Sequence, residues 1–468
     1  MATMTAAGAA TVAEARTLTA GVDPARLSAF VVREAARFAE GRPKSAHLMQ
    51  EAAGDWLGGV PMHWMSDWPM PHLPVVARAW AARIRDIDGH VLDDFCLGDT
   101  GSMFGHSPPP VARAIREQSR RGLTSMLPSA ALAEAGRLLR ARFGPMRWQI
   151  ATTASDANRF ALRVARAVTG RAKVLVFNGC YHGAVDETFV EPVNGRTMAR
   201  AGLLGQVADL GAVATCCEFN DLAAVERALA AGDIAAILTE PVMTNCAMVL
   251  PDAGFHAGLR ELARRHDALL IIDETHTIST GPGGYTRVHG LTPDIFVVGK
   301  CVAGGMPTAV WGLSEQVARR LEAVNAGRPS GHSGMGTTLS ANLMQLACLV
   351  ANLAEVMTPE NHALMEAGAA RLAAGLEAAV ARHGAPWHVL RVGARVEFVC
   401  APGRLRNGTE AMAAHHPSVE RAVHLGLVNR GSLIAPFHNM MLVSPVTSAR
   451  QIDRLIAGFD AVLAKLLA

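Results

Sequence analysis

The sequence predicts an α/β protein: a large doubly wound domain built on a mostly parallel sheet, followed by a smaller α+β domain. Three observations carry this. Short, continuous apolar runs recur at residues 174–177, 234–239, 268–273 and 295–298, the pattern of strands covered on both faces. Between about residues 110 and 350 such runs alternate with helical stretches, as in a doubly wound sheet. Beyond residue 351 the order changes to long helices with strands within 385–400.

Taken in order, residues 1–21 are Ala/Thr-rich, lack the Leu/Val core of a signal peptide and carry Glu14, so they read as a mobile arm. Residues 22–109 form an N-terminal segment joining the small domain and a subunit interface. It contains an amphipathic helix over 24–40 and a hairpin over 83–95, turning at Asp88-Gly89. Residues 110–350 form the large domain. There a helix over 156–168 follows a hydroxyl-rich loop, and residues 308–312, a short return after the 295–298 strand, add an antiparallel strand. Residues 351–468 form the small domain. A helix over 340–356 leads into it, followed by helices over 360–383, 418–428 and 449–467 and strands within 385–400.

A chain of 468 residues buries about three quarters of its unfolded surface, enough for a large core. Net charge is only +3 and no Lys/Arg block occurs, which argues against nucleic acid or anionic membrane as partner. No apolar stretch approaches 18 residues, so no membrane span is expected. The eight cysteines form no CxxC pair. That spacing favours no metal site and fits a reducing, cytoplasmic compartment.

Chemistry concentrates at two strand ends. Lys300 follows the run Ile295-Phe-Val-Val298 with glycines on both sides. An ammonium beside a buried strand end is costly to keep charged, and a lysine so placed can act as an amine nucleophile, forming a Schiff base with an aldehyde. Alone it would be an ordinary surface lysine in a Gly-rich turn. Asp273 ends the run Leu269-Leu-Ile-Ile-Asp273. Ligands collect at the carboxyl ends of parallel strands, which brings both residues to one rim. A buried aspartate there needs a cationic or donor partner, and a protonated pyridine nitrogen would serve. A helix cap or a structural ion pair is the plainer reading of that aspartate.

With these two residues in place, the sequence resembles the class III aminotransferases, fold-type I enzymes dependent on pyridoxal phosphate, and within them the branch of glutamate-1-semialdehyde aminomutase and β-amino-acid transaminases. The resemblance runs from about Arg83 to the C-terminus. It implies a seven-stranded large sheet and assigns further residues. Ala151-Thr-Thr-Ala-Ser-Asp-Ala-Asn158 stands where the family has its phosphate loop, making Thr153, Ala154 and Ser155 the phosphate contacts. Tyr181, followed by His182, stacks on the cofactor ring. In Glu240-Pro-Val-Met-Thr-Asn245, Glu240 shapes the pocket and Asn245 donates to the ring's phenolic oxygen. Thr275 replaces the apolar group that usually backs the ring. Gly336-Thr-Thr338-Leu-Ser-Ala-Asn342 resembles the segment whose threonine reaches the neighbouring subunit's phosphate; Thr338 aligns, with Thr337 one residue away, and a homodimer with shared sites follows.

The resemblance implies an aminotransferase moving an amino group from an amine or (β-)amino acid to a keto acid or aldehyde through a Lys300 Schiff base. The alternatives are a glutamate-1-semialdehyde-type 2,1-aminomutase, a racemase or epimerase, and a non-catalytic scaffold, against which the presence of Lys300 and Asp273 counts. The substrate regions are His63-Trp64 with Trp68, and His438-Asn439 after Pro436. Neither holds the arginine that carboxylate-handling relatives often place there. Four of the seven tryptophans lie between Trp56 and Trp80; they wall an aromatic substrate pocket or pack a dimer interface. The run after Pro436 also lacks the glutamate of the aminomutases.

Overall fold

The computed structural model describes residues 20–467. Most of the expected N-terminal arm lies outside the described residues; of its end, Ala20 is buried and its carbonyl accepts a hydrogen bond from Trp387 Nε1 at 2.9 Å. The chain divides into two compact units. The larger comprises 100–363 with 405–413; the smaller comprises the described residues up to Asp99, then 364–404 and those from Ala414 onward. These divisions fall at 99/100 and 363/364, where the sequence pointed to 109/110 and 350/351.

The larger unit is built on seven strands: β4 (Arg147–Ala151), β5 (Lys173–Phe177), β8 (Ala214–Cys217), β9 (Ile234–Thr239), β10 (Leu269–Asp273), β11 (Ile295–Val298) and β12 (Ala309–Leu313), in the order β4-β12-β11-β10-β9-β5-β8. Only β12 runs against the others, returning beside β11 after a short connection. Every residue of β9, β10, β11 and β12 is buried, which is why these strands read as continuous apolar runs. The two edge strands β4 and β8 lacked that mark. In β4 exposed Arg147 and Gln149 alternate with half-buried Trp148 and Ile150. Away from the sheet, β6 (Val190–Val193) and β7 (Arg196–Ala199) form a hairpin turning at Asn194-Gly195, a two-residue turn signal the sequence carries plainly.

The phosphate-loop helix begins earlier than expected, spanning Ala154–Thr169 with Thr153 as its N-cap. The helix expected over 340–356 starts instead at Leu343, where Asn342 and Gln345 form a reciprocal capping box, and its last turn, Asn352–Val356, widens to a π-helix.

The smaller unit holds the helix Pro24–Gly41 and two sheets. One sheet runs β1 (Val76–Trp80), β2 (Arg83–Asp86), β3 (Val91–Asp94) and β15 (Ser432–Leu433). The other runs β13 (His388–Val392), β14 (Arg395–Val399) and β16 (Met440–Leu442). Helices Pro359–Arg382, Pro417–Val428 and Ala449–Leu467 lie close to the ranges expected. Phe30, Phe95, Leu376, Trp387, Phe398 and Phe459 belong to its core, with Trp387 stacked on Phe398 at 5.7 Å.

Candidate active site

Strands β9, β10 and β11 run parallel with Ile271 beside Ile295 and Asp273 beside Val297. Their carboxyl ends therefore open on one edge of the sheet, where Glu240, Asp273 and Lys300 leave adjacent strands.

Asp273 is 4% exposed, and its carboxylate meets three donors from separate elements. Oδ2 accepts from Asn158 Nδ2 at 2.8 Å and pairs with His182 Nδ1 at 3.0 Å, while Oδ1 accepts from Thr275 N–H at 3.0 Å. Burial alone would push this carboxyl up, but the donors from His182, Thr275 and Asn158 outweigh it and hold it below the ordinary aspartate value. Burial would likewise lower His182; the Cys180 sulfur and Asp273 reverse this and raise it to about 10. His182 and Asp273 thus each favour the charged form of the other. A carboxylate offers about four acceptor positions, so one remains beyond the three in use.

Lys300 adopts φ 48°, a left-handed conformation uncommon outside glycine. Its Nζ lies 2.7 Å from His276 Nε2, and His276 Nδ1 lies 3.1 Å from Thr100 Oγ1. The preceding Gly299 is set by close approach: a Cβ there would stand 2.9 Å from Ala154 Cβ. The phosphate-loop helix therefore starts directly against the lysine's own turn.

At that helix start the N–H groups of Ala154 and Ser155 have no intrahelical acceptor, as in any first turn. Thr153 Oγ1 accepts from Asp156 N–H and donates to Asp156 Oδ2 at 3.0 Å, so its hydroxyl is engaged as a cap. Ser155 Oγ accepts from Ala184 N–H at 3.0 Å. Gly183, at φ 82°, lets residues 181–184 close on it, since a Cβ would come within 2.1 Å of Ser155 Oγ. Tyr181 in this loop is half-buried, edge-on to Phe189, and its N–H reaches Glu240 Oε1 at 3.5 Å. Glu240 is buried, which raises its carboxyl above the usual range, and it also accepts from the N–H and hydroxyl of Thr244. Asn245 Nδ2 and Thr275 Oγ1 are buried without hydrogen-bond partners.

Thr338 is exposed, in the turn before Leu343. Its neighbour Thr337 instead bonds Ser340 Oγ at 2.7 Å and approaches Thr152 at 3.5 Å. The suggested substrate residues all lie in the smaller unit. His63 and Trp64 are exposed in a 3₁₀ turn, with Trp64 edge-on to Phe437, and Trp68 is edge-on to His424. His438 is buried against Arg395 at 3.2 Å, and Asn439 donates to the Phe398 carbonyl at 3.3 Å. Sequence reasoning gave no role to His276, Thr100 or Asn158. Asn158 closes the phosphate-loop motif and His276 follows Asp273 by three residues, so proximity to a motif was their only signal.

These residues fit a pyridoxal phosphate: an anion-ready helix start, an acidic carboxylate with an acceptor position to spare, an unpartnered buried amide and an amine at one sheet edge. The description of a class III aminotransferase matches residues 65–463. This chain belongs to the class III aminotransferase family. Among curated relatives of this class III aminotransferase, glutamate-1-semialdehyde 2,1-aminomutases of Sorangium cellulosum and Desulfosudis oleivorans are 33% and 31% identical. They cover 91% and 90% of the chain, and 97% and 99% of their own length is matched. A solved glutamate-1-semialdehyde-aminomutase from Pseudomonas aeruginosa is 49% identical with TM-score 0.94, covering 96% of this chain and all of the other. A lysine-to-alanine variant of that protein has been solved in complex with PMP. A β-phenylalanine aminotransferase from Variovorax paradoxus is 25% identical with TM-score 0.83, covering 94% and 97%. These likenesses favour the aminomutase alternative over the two-substrate transaminase reading. The enzyme class and the fold-type I architecture are as the sequence indicated.

Proposed function

We propose that this class III aminotransferase acts as a 2,1-aminomutase, moving an amino group between adjacent carbons of one small substrate of the glutamate-1-semialdehyde type. The observation that carries the chemistry is Asp273, held anionic with an acceptor position to spare, at the strand end beside Lys300. The likeness to named aminomutases over nine tenths of the chain supports the branch.

Bound pyridoxal phosphate supplies an aldehyde that condenses with amines and a protonated ring that accepts electron density. Asp273 holds the proton on the ring nitrogen, and His182 and Asn158 fix the carboxylate. The N–H groups of Ala154 and Ser155, with Ser155 Oγ and the Thr153 cap, bind the phosphate. Tyr181 would lie against the ring, the unpartnered Asn245 Nδ2 would donate to its phenolic oxygen, and Thr275 would pack behind it. Glu240 sets the Tyr181 loop through its backbone N–H. Lys300 takes and returns the proton at the substrate carbon, a role worth about 10²–10⁴-fold. His63, Trp64, Trp68, His438 and Asn439 are the proposed substrate contacts.

Exposed Thr338 would reach the phosphate held by a second copy in a homodimer. Exposed Leu123, Met126 and Leu127, on a loop joined to the Thr338 segment where Met344 N–H donates to the Leu123 carbonyl, support such an interface. No helix of the described residues is long and apolar enough to cross a membrane, and all eight cysteines are buried free thiols, which supports a cytoplasmic placement.

One observation favours the two-substrate transaminase as second reading: the run after Pro436, Phe437-His438-Asn439-Met440, contains no carboxylate. The deciding assay offers a 4,5-amino/aldehyde substrate alone, and separately an amine or β-amino acid with pyruvate. Isomerisation of the single substrate supports the aminomutase. Alanine formed only with pyruvate replaces it with the transaminase, and neither product sinks both.

A further inference from the structure

The turn that carries Lys300 is gripped by a helix that follows it in the chain. In the run Leu343-Met-Gln-Leu-Ala-Cys-Leu-Val-Ala-Asn-Leu353 only Gln345 and Asn352 bear an amide; the other side chains are apolar. Both amides are buried, at 1% and 0% exposure, and a buried amide is costly unless it finds partners. They stand seven residues apart, close to two helical turns, and so share one face.

That face meets the segment after the lysine. Asn352 Nδ2 donates to the Cys301 carbonyl at 3.0 Å and to the Val302 carbonyl at 2.8 Å, and Gln345 Nε2 donates to the Pro307 carbonyl at 2.8 Å. Between these grips the approach is close: a Cβ on Gly304 would stand 3.2 Å from Asn352 Oδ1. Each amide-bearing residue is also held from behind. Gln345 Oε1 accepts from Asn342 N–H at 3.2 Å in the capping box. The Asn352 carbonyl accepts from Met357 N–H at 2.8 Å, the bond by which the helix widens to its π-turn. Such widened turns occur often at functional sites.

Lys300 opens the short 3₁₀ turn Lys300–Ala303, whose two middle carbonyls are the ones Asn352 holds. The lysine itself sits at φ 48°. A non-glycine residue pays about 1–3 kcal/mol for that conformation and keeps it only where surrounding contacts impose it. We infer that Asn352, seconded by Gln345, is a positioning residue for Lys300: the amide clasp fixes the turn, and the turn sets where the amine stands relative to an incoming aldehyde. The inference rests on the pyridoxal-phosphate reading of the site.

The test uses the full chain freed of cofactor and mixed with pyridoxal phosphate. Capture joins Nζ to the aldehyde carbon as C=N and releases the oxygen as water; it is followed by visible absorbance and by borohydride trapping, with the adduct mapped to Lys300 by mass. Asn352→Leu keeps the volume and removes both donor bonds, and should slow capture about 10–100-fold, the scale on which loss of orientation acts. Asn352→Ser leaves a gap but keeps one hydroxyl donor, and should capture faster than Asn352→Leu; a role in packing alone would reverse that order. Gln345→Met, acting at the far end of the segment, should slow capture only about threefold. Pyridoxamine phosphate, which has no aldehyde, should bind every variant with unchanged affinity, which separates a misplaced lysine from a damaged cavity. Wild-type capture in Asn352→Leu, an Asn352→Ser slower than Asn352→Leu, or pyridoxamine phosphate binding weakened in step with capture would overturn the inference. Should Asn352→Leu fail to fold, Asn352→Ser decides: slowed capture with intact pyridoxamine phosphate binding supports the clasp, and capture at the wild-type rate overturns it. A wild-type chain that captures nothing at Lys300 would instead overturn the functional reading beneath it.

Discussion

Asp273 and Glu274 are sequence neighbours at the end of β10, buried to 4% and 0% exposure, yet their carboxyls shift in opposite directions. Asp273 points into the site-facing cluster and is depressed. Glu274 serves the loop behind it, accepting from Thr277 Oγ1, Tyr285 N–H and Thr286 N–H, and burial leaves it raised. Both are buried and burial pushes both carboxyls up, so burial alone does not separate them. Their donors do: the groups that hold Glu274 are neutral, whereas Asp273 meets a histidine whose charged form it favours. A carboxylate that must keep its charge to hold a ring proton needs a charged partner, and one that ties down a loop does not.

The largest effect expected bears on the site side of this comparison. Lys300→Ala should abolish borohydride-trappable capture of pyridoxal phosphate and reduce turnover by about 10⁴-fold, the upper end for a positioned proton-transfer group; substantial residual turnover would remove Lys300 from its role. Next, Asp273→Asn removes the carboxylate that pairs with buried His182. It should cost about 3–5 kcal/mol in thermal or denaturant unfolding, with activity lost as well. Glu274→Gln should cost only about 1–2 kcal/mol and leave turnover within a few-fold. Equal losses in the two variants would erase the distinction between the two carboxylates.

The same comparison has a pH signature. His182 is raised from 6.5 to about 10 in the folded chain, so its stabilising contribution is complete below pH 6.5. It is lost as pH rises through about 10. Unfolding followed from pH 6 to 10 should show stability falling in the wild type and a flatter profile in His182→Gln. A smaller effect is expected at the helix start. Thr153→Ala removes the N-cap and should lower stability by about 1 kcal/mol, measured as a shift in unfolding midpoint.

Legibility followed burial on both faces. The central strands β9, β10 and β11 were visible because continuous apolar runs have no other place to go in a folded chain of this size. Edge strand β4 was missed because exposed and half-buried residues alternate along Arg147-Trp-Gln-Ile150, and β8, Ala214-Thr-Cys-Cys217, was missed although three of its four residues are buried. The β6–β7 hairpin was missed although Asn194-Gly195 marked its turn. The phosphate-loop helix was found but its start misplaced by two residues, since capping by Thr153 depends on geometry that a run of hydroxyl residues leaves open.

The amino-acid order alone determined the doubly wound class, the strand ends bearing Asp273 and Lys300, and the family, because these are local consequences of apolar runs punctuated by glycine and a few chemically singular residues. Only the tertiary structure decided what those residues meet. Asn158 and His182 reach Asp273 from elements about a hundred residues away, and Thr100 reaches His276 across an even longer stretch. Such encounters depend on how whole elements pack at the sheet edge, and no local pattern encodes them.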